Sequence, residues 1–175
     1  MITEVKDLAH FDKCASIWNN KKNINFWKFQ SCLADNFFDP ESIEFNLRNM
    51  LIDSLSKDQP TLKIWSYEEE GVSLGGGVYI VRENFMMGEN ILEEILWQIP
   101  GKFAESYKEK KILIKILKRA EDFAKSSNLD AIIVSRNIHL HKFSKDKDDK
   151  INNFYTKNNY SPYFIQYRKN LKINS

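Results

Sequence analysis

Basic side chains are concentrated in one segment of this chain of 175 residues. The segment contains Lys102, Lys108, Lys110, Lys111, Lys115, Lys118 and Arg119. Ammonium groups clustered in this way can bind an anionic group such as a phosphate. A run of charges is also typical of a solvated helix face, so both interpretations stay open.

Two adjacent carboxylates and one tyrosine have side chains that can transfer protons. Glu93 and Glu94 lie in a predicted strand, where alternation directs neighbouring side chains to opposite faces. A carboxylate can take the proton of an amine, which is mostly protonated at neutral pH. The phenol of Tyr155, with an ordinary pKa of about 10, can protonate a leaving group. Surface carboxylates and helix packing are the alternative interpretations of these residues.

The histidines, cysteines and glycines form no pattern of a known site. His139 and His141 would share one strand face, but no Cys, Asp or Glu stands at ligand spacing beside them. Cys14 and Cys32 also lack metal-ligand spacing and are interpreted as ordinary small side chains. We therefore expect no metal. Gly75-Gly76-Gly77 lacks the Lys-Ser/Thr of a phosphate loop and indicates a bend or a close backbone approach in a strand.

Length and composition predict one domain over residues 1–175 with a working core. The net charge of +2 argues against a nucleic-acid binder. No apolar run approaches the roughly 20 residues of a membrane span, and no signal-peptide pattern opens the chain, so we expect a cytoplasmic protein. Lys outnumbers Arg 21 to 5, which suggests an AT-rich bacterial or phage genome. The aromatic-rich first half could provide an interface for a homodimer or an assembly partner.

Hydrophobic periodicity predicts alternating blocks of helix and strand. Helical spacing of apolar residues predicts helices at 8–18, 40–55, 111–126 and 149–158. Asp7 is the expected N-cap of the first helix, Pro40 suits the first turn of the second, and Asn128 can end the third in a left-handed conformation. Strand patterns occur at 2–5, 62–67, 72–81, 91–99, 131–134 and 163–167. Three antiparallel strands followed by a strand–helix–strand crossover predict an α/β fold with a mixed sheet covered by helices.

Residues 152–160, Asn-Asn-Phe-Tyr-Thr-Lys-Asn-Asn-Tyr, resemble a late segment of the GCN5-related N-acetyltransferases (GNATs), in which Phe-Tyr and two polar residues precede Gly-Phe. Asn159 stands where that glycine would be, and asparagine is the next-best residue for a left-handed helix end. The helix at 112–124, with Ile116-Leu117 and Glu121, resembles the family's coenzyme-binding helix. The resemblance covers residues 62–169. It implies a mostly antiparallel, mixed sheet of six to seven strands, about four flanking helices, and acetyl-CoA bound where the fourth and fifth strands part.

The resemblance also implies roles for particular residues. The strand end Trp97-Gln98-Ile99 would bind the pantetheine arm and the thioester carbonyl. The other coenzyme-binding positions would be Lys108, Lys110, Lys111, Ile112, Leu113 and Asn152. Glu93 or Glu94 would remove the proton of the amine, and Tyr155 would protonate the leaving thiolate. The implied activity is transfer of an acetyl group from acetyl-CoA to a primary amine of a small molecule or a protein.

The pyrophosphate loop departs from the family pattern. Counted back from Glu121, its basic position falls on Lys108 and its two small positions on Lys111 and Leu113, so both glycines are missing. The three lysines could replace close backbone approach with direct charge. The loss of the glycines also motivates an alternative, a catalytically inactive GNAT-fold module for binding or assembly.

Overall fold

The computed structural model describes residues 1–18, 40–58, 60–85, 87–98, 107–134, 153 and 155–161. The chain divides into two units, Met1–Leu140 and His141–Ser175, and each is described by itself. A single domain over the whole chain stays a prediction.

The first unit is built on a five-stranded sheet in the order β1-β2-β3-β4-β5. The strands are β1 (Ile2–Glu4), β2 (Leu62–Glu69), β3 (Val72–Asn84), β4 (Glu89–Gln98) and β5 (Ala131–Ile133). Neighbours from β1 to β4 are antiparallel, and β4 pairs with β5 in parallel. This confirms the mixed, mostly antiparallel sheet, with five described strands where six to seven were predicted. The strand predicted at 163–167 lies outside the described residues.

Residues with positive φ form the turns of the two hairpins. Glu70 (φ 52°) and Gly71 (φ 74°) form a two-residue turn between β2 and β3, and both adopt the left-handed conformation that such turns require. In the next hairpin Gly88 has φ 66°, and its N–H donates to the Asn84 carbonyl at 2.8 Å. As a result β4 begins two residues earlier than predicted.

Three described helices cover the sheet: α1 (Leu8–Trp18), α2 (Pro40–Leu55) and α3 (Tyr107–Ser126). Asp7 caps α1, as predicted, because its Oδ1 accepts the His10 N–H at 2.8 Å. Asn128 (φ 53°) follows the end of α3 in the predicted left-handed conformation. However, α3 begins four residues before its predicted start. None of the described helices is long and apolar enough to cross a membrane.

The buried side chains form two clusters. Residues of α1 and α2, among them Phe11 and Leu51, pack with Ile64 and Val78 of the sheet. Residues of α3 pack with other sheet residues, and this second cluster contains Trp65, Tyr67, Leu74, Tyr79, Leu92, Ile112, Ile116, Ala120 and Ala124. Both sheet faces therefore contribute to a core, as the α/β prediction requires.

In the second unit, residues 155–157 are helical. The segment ends at Asn159, whose φ of 64° confirms the left-handed role predicted for this asparagine in place of glycine. The Tyr160 N–H donates to the Tyr155 carbonyl at 3.0 Å, and the two rings meet edge to face with their centroids 5.7 Å apart.

Candidate active site

The fourth strand contains a bulge. Val78 of β3 lies opposite Leu96, but the next residue, Tyr79, lies opposite Glu94, so Ile95 is an extra residue on β4. An extra residue bends a strand and re-aims the peptide groups that follow it. The bulge therefore lies just before residues 97–99, the predicted binding stretch for the pantetheine arm. Ile99 itself is outside the described residues.

Beside this bulge, the described pairing of β4 with β5 ends. The last paired residues are Glu93 and Ile133, although β4 continues to Gln98. Within the described residues, the last five residues of β4 thus have no partner on that side. A ligand that lies against the β4 backbone would need peptide groups without a strand partner at this place.

The two candidate carboxylates have different surroundings. Glu94 is only 2% exposed and accepts a hydrogen bond from the Tyr79 hydroxyl at 3.3 Å. Glu93 is half-buried and forms an ion pair with Arg82 of β3. Because their cross-strand neighbours are consecutive residues of β3, Tyr79 and Ile80, the two glutamates point to opposite faces of the sheet.

The start of α3 lies one turn earlier than the sequence predicts, at Tyr107. The first four N–H groups of a helix have no intrahelical acceptor, and here they belong to residues 107–110. Lys108 and Lys110 lie in this first turn, and the Lys111 side chain is exposed. Ile112 is fully buried in the core, whereas Leu113 is half-buried.

Other cations of the basic segment cover the sheet. The Lys115 ammonium lies 5.0 Å from the centre of the Tyr67 ring, and the Arg119 guanidinium lies 5.6 Å from that of Trp65. Arg119 Nη2 is also 3.9 Å from Glu4 Oε2. Cation–π contacts of this kind fix α3 against β2. Lys115 stays exposed and Arg119 is half-buried, so these contacts with aromatic rings are compatible with the solvated helix face that the sequence left open.

The glycine run lets α3 approach the sheet. A Cβ added at Gly77 would lie 2.8 Å from Ile116 Cγ2 and 2.7 Å from Tyr79 Cε2. Such contacts are closer than carbon atoms pack, so this position of β3 must stay bare. The sequence prediction of a close backbone approach is thereby explained, and the approach fixes the helix that starts beyond β4.

The two remaining predicted residues lie in the second unit. Tyr155 is half-buried against Tyr160, and Asn152 lies outside the described residues. Sequence reasoning missed Tyr79, the partner of Glu94. The available signal was a tyrosine in β3 that a hairpin register could bring opposite the Glu93-Glu94 pair.

No protein-family model matches the chain, and no curated protein matches it. Solved structures do. A probable acetyltransferase is 16% identical with a TM-score of 0.64, and the match covers 100% of this chain and 99% of that one. An aminoglycoside acetyltransferase from an uncultured soil metagenomic sample, in complex with trehalose, is 15% identical with a TM-score of 0.61, covering 98% and 96%.

A third match is AAC(6')-Iy in complex with the bisubstrate analogue CoA-S-monomethyl-acetylneamine, at 10% identity and a TM-score of 0.59, covering 97% of this chain and 99% of that one. Matches over the full length of both chains establish the architecture even at this low identity. The chain has the GNAT acetyltransferase fold.

Proposed function

We propose that this protein is an N-acetyltransferase that moves an acetyl group from acetyl-CoA directly to a primary amine of a small molecule or a protein. The observation that carries the proposal is the bulge at Ile95 beside the end of the β4–β5 pairing at Glu93. Together they would leave the end of β4 open for an extended thioester to lie against. The proposed place of action is the cytoplasm.

Register supports the Trp97 peptide as the donor to the thioester carbonyl. Asp130 donates its N–H to the Asn90 carbonyl at 2.8 Å, so peptide groups of even-numbered β4 residues face β5 ahead of the bulge. The extra residue at Ile95 inverts this alternation and turns the Trp97 N–H toward the side where pairing has ended. A fixed N–H in that position stabilises the oxyanion that forms during acyl transfer.

The start of α3 is the proposed site for the coenzyme's pyrophosphate. Free N–H groups and the helix dipole favour an anion there. Lys108 and Lys110, in the first turn, and the exposed Lys111 would add positive charge. In this scheme charge takes the place of the close backbone approach that the missing glycines would have allowed.

Proton transfer completes the proposed reaction. The amine nitrogen attacks the thioester carbonyl carbon, the carbon–sulfur bond breaks, and the proton leaves the nitrogen. We assign that proton to Glu94 rather than Glu93, because Glu94 directly precedes the bulge and the Glu93 carboxylate is engaged by Arg82. Tyr155 is proposed to protonate the thiolate of the departing coenzyme A.

A second candidate is a GNAT-fold module without catalysis. The observation that favours it is that the family's two small positions are occupied by Lys111, which is exposed, and Leu113, which is half-buried. A side chain at either position separates the backbone from a bound phosphate. The two candidates differ in a measurable way, because the module has no need to bind acetyl-CoA.

Isothermal calorimetry with acetyl-CoA tests the proposal. The enzyme should bind with a dissociation constant below a millimolar and should release coenzyme A when primary amines such as amino sugars or lysine peptides are added. If millimolar acetyl-CoA produced neither heat nor a shift in Tm, the acetyltransferase proposal would be rejected. Binding without turnover on any amine would favour the module.

A further inference from the structure

Three side chains of the kinds that bind transition metals meet between α1 and β2. The His10 Nε2 and Glu68 Oε1 atoms are 2.6 Å apart. One ligand atom from each of His10, Cys14 and Glu68 lies within 4.8 Å of the other two. Among the described residues, no other group of three such side chains comes this close.

Two rigid elements hold these side chains in place. His10 and Cys14 are four residues apart on α1, so both project from the same helix face. The Asp7 cap fixes the first turn of that helix. Glu68 comes from β2, on the same side of the strand as Ser66, whose Oγ is 2.7 Å from the Ser73 Oγ of β3. The arrangement therefore depends on secondary structure rather than on a loop.

The ligand types and exposure favour one kind of ion. A thiolate, an imidazole and a carboxylate together are the donors that Zn²⁺ accepts in tetrahedral sites. Zinc bonds of about 2.0–2.3 Å place tetrahedral ligands roughly 3.3–3.8 Å apart, so side-chain shifts of about 1 Å close the site. The Cys14 side chain is buried, while the His10 and Glu68 side chains are 20% and 13% exposed, which leaves a fourth position open to water.

The surroundings of the thiol fit a ligand role. Burial raises the pKa of the Cys14 thiol, and contact of its sulfur with the Ser66 and Ser73 hydroxyls, which are 2.7 Å from each other, partly offsets that effect. Partners behind a metal ligand fix its orientation in this way. A bound dication would in addition supply the charge that offsets the burial of a thiolate.

We propose that His10, Cys14 and Glu68 form a Zn²⁺ site with a water molecule as the fourth ligand. The ion would cross-link the first half of α1 to the end of β2. The cross-strand row Ser66–Gly76–Gln98 connects this end of β2 to the last residue of β4, about 10 Å away at ordinary strand spacing. The site is thus separate from the bulge of β4, and its existence does not depend on the acetyltransferase proposal.

Cobalt titration of the metal-free full-length protein tests the proposal. A Cys32→Ser background leaves Cys14 as the one thiol. One equivalent of Co²⁺ should give thiolate-to-cobalt charge-transfer absorption and the intense visible bands of tetrahedral cobalt, and Zn²⁺ should displace both. Absence of the charge-transfer band at saturating Co²⁺ would overturn the proposal.

Substitutions then assign the ligands. Cys14→Ser should abolish the charge-transfer band, and His10→Gln or Glu68→Gln should weaken Co²⁺ binding by at least about 10–100-fold, the loss found even for groups behind a ligand. Two controls should bind as the background protein does: Glu69→Gln, which alters the neighbouring carboxylate, and the double variant His139→Gln/His141→Gln. Loss of the band in a control, or its survival in Cys14→Ser, would also overturn the assignment.

Thermal unfolding guards against variants that fold poorly. Zn²⁺ should raise the Tm of the background protein by several degrees, because a ligand that binds the folded state stabilises it. At the same Zn²⁺ concentration the shift should be clearly smaller in Glu68→Gln, measured from the metal-free Tm of that variant. An equal Zn²⁺ shift in Glu68→Gln and in the background would contradict a site made by these residues.

Discussion

The Tyr79 hydroxyl of β3 donates a hydrogen bond to the Glu94 carboxylate of β4 at 3.3 Å, and both side chains are at most 2% exposed. The pair lies at the step where Ile95 interrupts the ladder between the two strands. A carboxylate is thereby oriented at the edge of the strand opening, whereas its neighbour Glu93 is engaged by Arg82 on the other face.

Replacing Glu94 with Gln should lower kcat/KM for acetyl transfer by about 10²–10⁴-fold, the range for loss of a general base. The affinity for acetyl-CoA should stay nearly unchanged, because the carboxylate is assigned to the amine. Steady-state kinetics with calorimetry on each variant measures both quantities. Glu93→Gln is the matched control and should retain activity within a few-fold; an equal loss in both variants would remove the distinction drawn between them.

The tight contact of α3 with Gly77 makes a prediction about stability. Gly77→Ala places a Cβ 2.7–2.8 Å from Tyr79 Cε2 and Ile116 Cγ2, and such overpacking costs about 1–3 kcal/mol. Urea unfolding measures the loss. In the double variant with Ile116→Ala, which removes Cγ2, the cost should be smaller than the sum of the two single costs. Strict additivity would show that Ile116 is not what restricts the site.

Local chemistry made much of the fold predictable. The second helix has its predicted bounds, 40–55, because Pro40 suits a first turn and an apolar stripe follows it. Asn128 and Asn159 adopt the predicted left-handed conformations, since asparagine tolerates them without a glycine. In each case the signal lies within a few neighbouring residues.

The missing parts depend on contacts between distant residues. The bulge at Ile95 carries no glycine and becomes visible only when β3 and β4 are set in register. The early start of α3 is an exception, because its signal is local: good helix formers occupy 108–111, and Ser106 with Glu109 three residues later has the spacing of an N-terminal capping box, which the predicted start at 111 overlooks. His10 and Glu68 are 58 residues apart in sequence. Their proximity depends on how α1 packs on the sheet and on which β2 side chains point toward that helix.

Charge reversal tests the start of α3 as the coenzyme's anion site. Lys108→Glu/Lys111→Glu should weaken acetyl-CoA binding at least about 10-fold at low salt, because two attractive charges become repulsive near the phosphates. The difference in affinity between the variant and the unmodified protein should shrink as salt rises, because salt screens both the attraction and the repulsion. Acidic residues stabilise a helix N-terminus, so unfolding cannot explain the loss. Lys118→Glu/Lys125→Glu, far along the same helix, controls for net charge and should bind normally.

The burial of Cys14 predicts how stability depends on pH in the metal-free protein. Burial raises the pKa of this thiol above its ordinary value of 9.0, so the unfolded chain loses the proton first. The contribution of the thiol to the free energy of unfolding is therefore complete below about pH 9 and is lost as pH rises through the folded pKa. Urea midpoints from pH 8 to pH 10.5 should fall less steeply in Cys14→Ala.

The raised pKa of Tyr67 also lowers the free energy of unfolding as pH rises, but at higher pH, so it needs its own control. Its hydrogen bond to Glu69 raises the pKa of the phenol above 10.0. Tyr67→Phe should therefore flatten the pH dependence only beyond about pH 10, whereas Cys14→Ala should flatten it from about pH 9. Identical profiles for Cys14→Ala and the unmodified protein would contradict a raised thiol pKa.

The proposed role of Tyr155 predicts a separation of turnover from binding. Tyr155→Phe keeps the ring that packs against Tyr160 but removes the hydroxyl that would protonate the thiolate. Turnover should fall about 10²-fold or more, while the dissociation constant for acetyl-CoA stays within about twofold. Tyr160→Phe, which alters the other ring of the pair, is the matched control and should turn over normally.

A leaving group that needs no proton offers a further check of Tyr155. With an acyl donor whose thiol is strongly acidic, Tyr155→Phe should recover most of its rate. Failure of such a donor to rescue the variant would exclude Tyr155 as the acid.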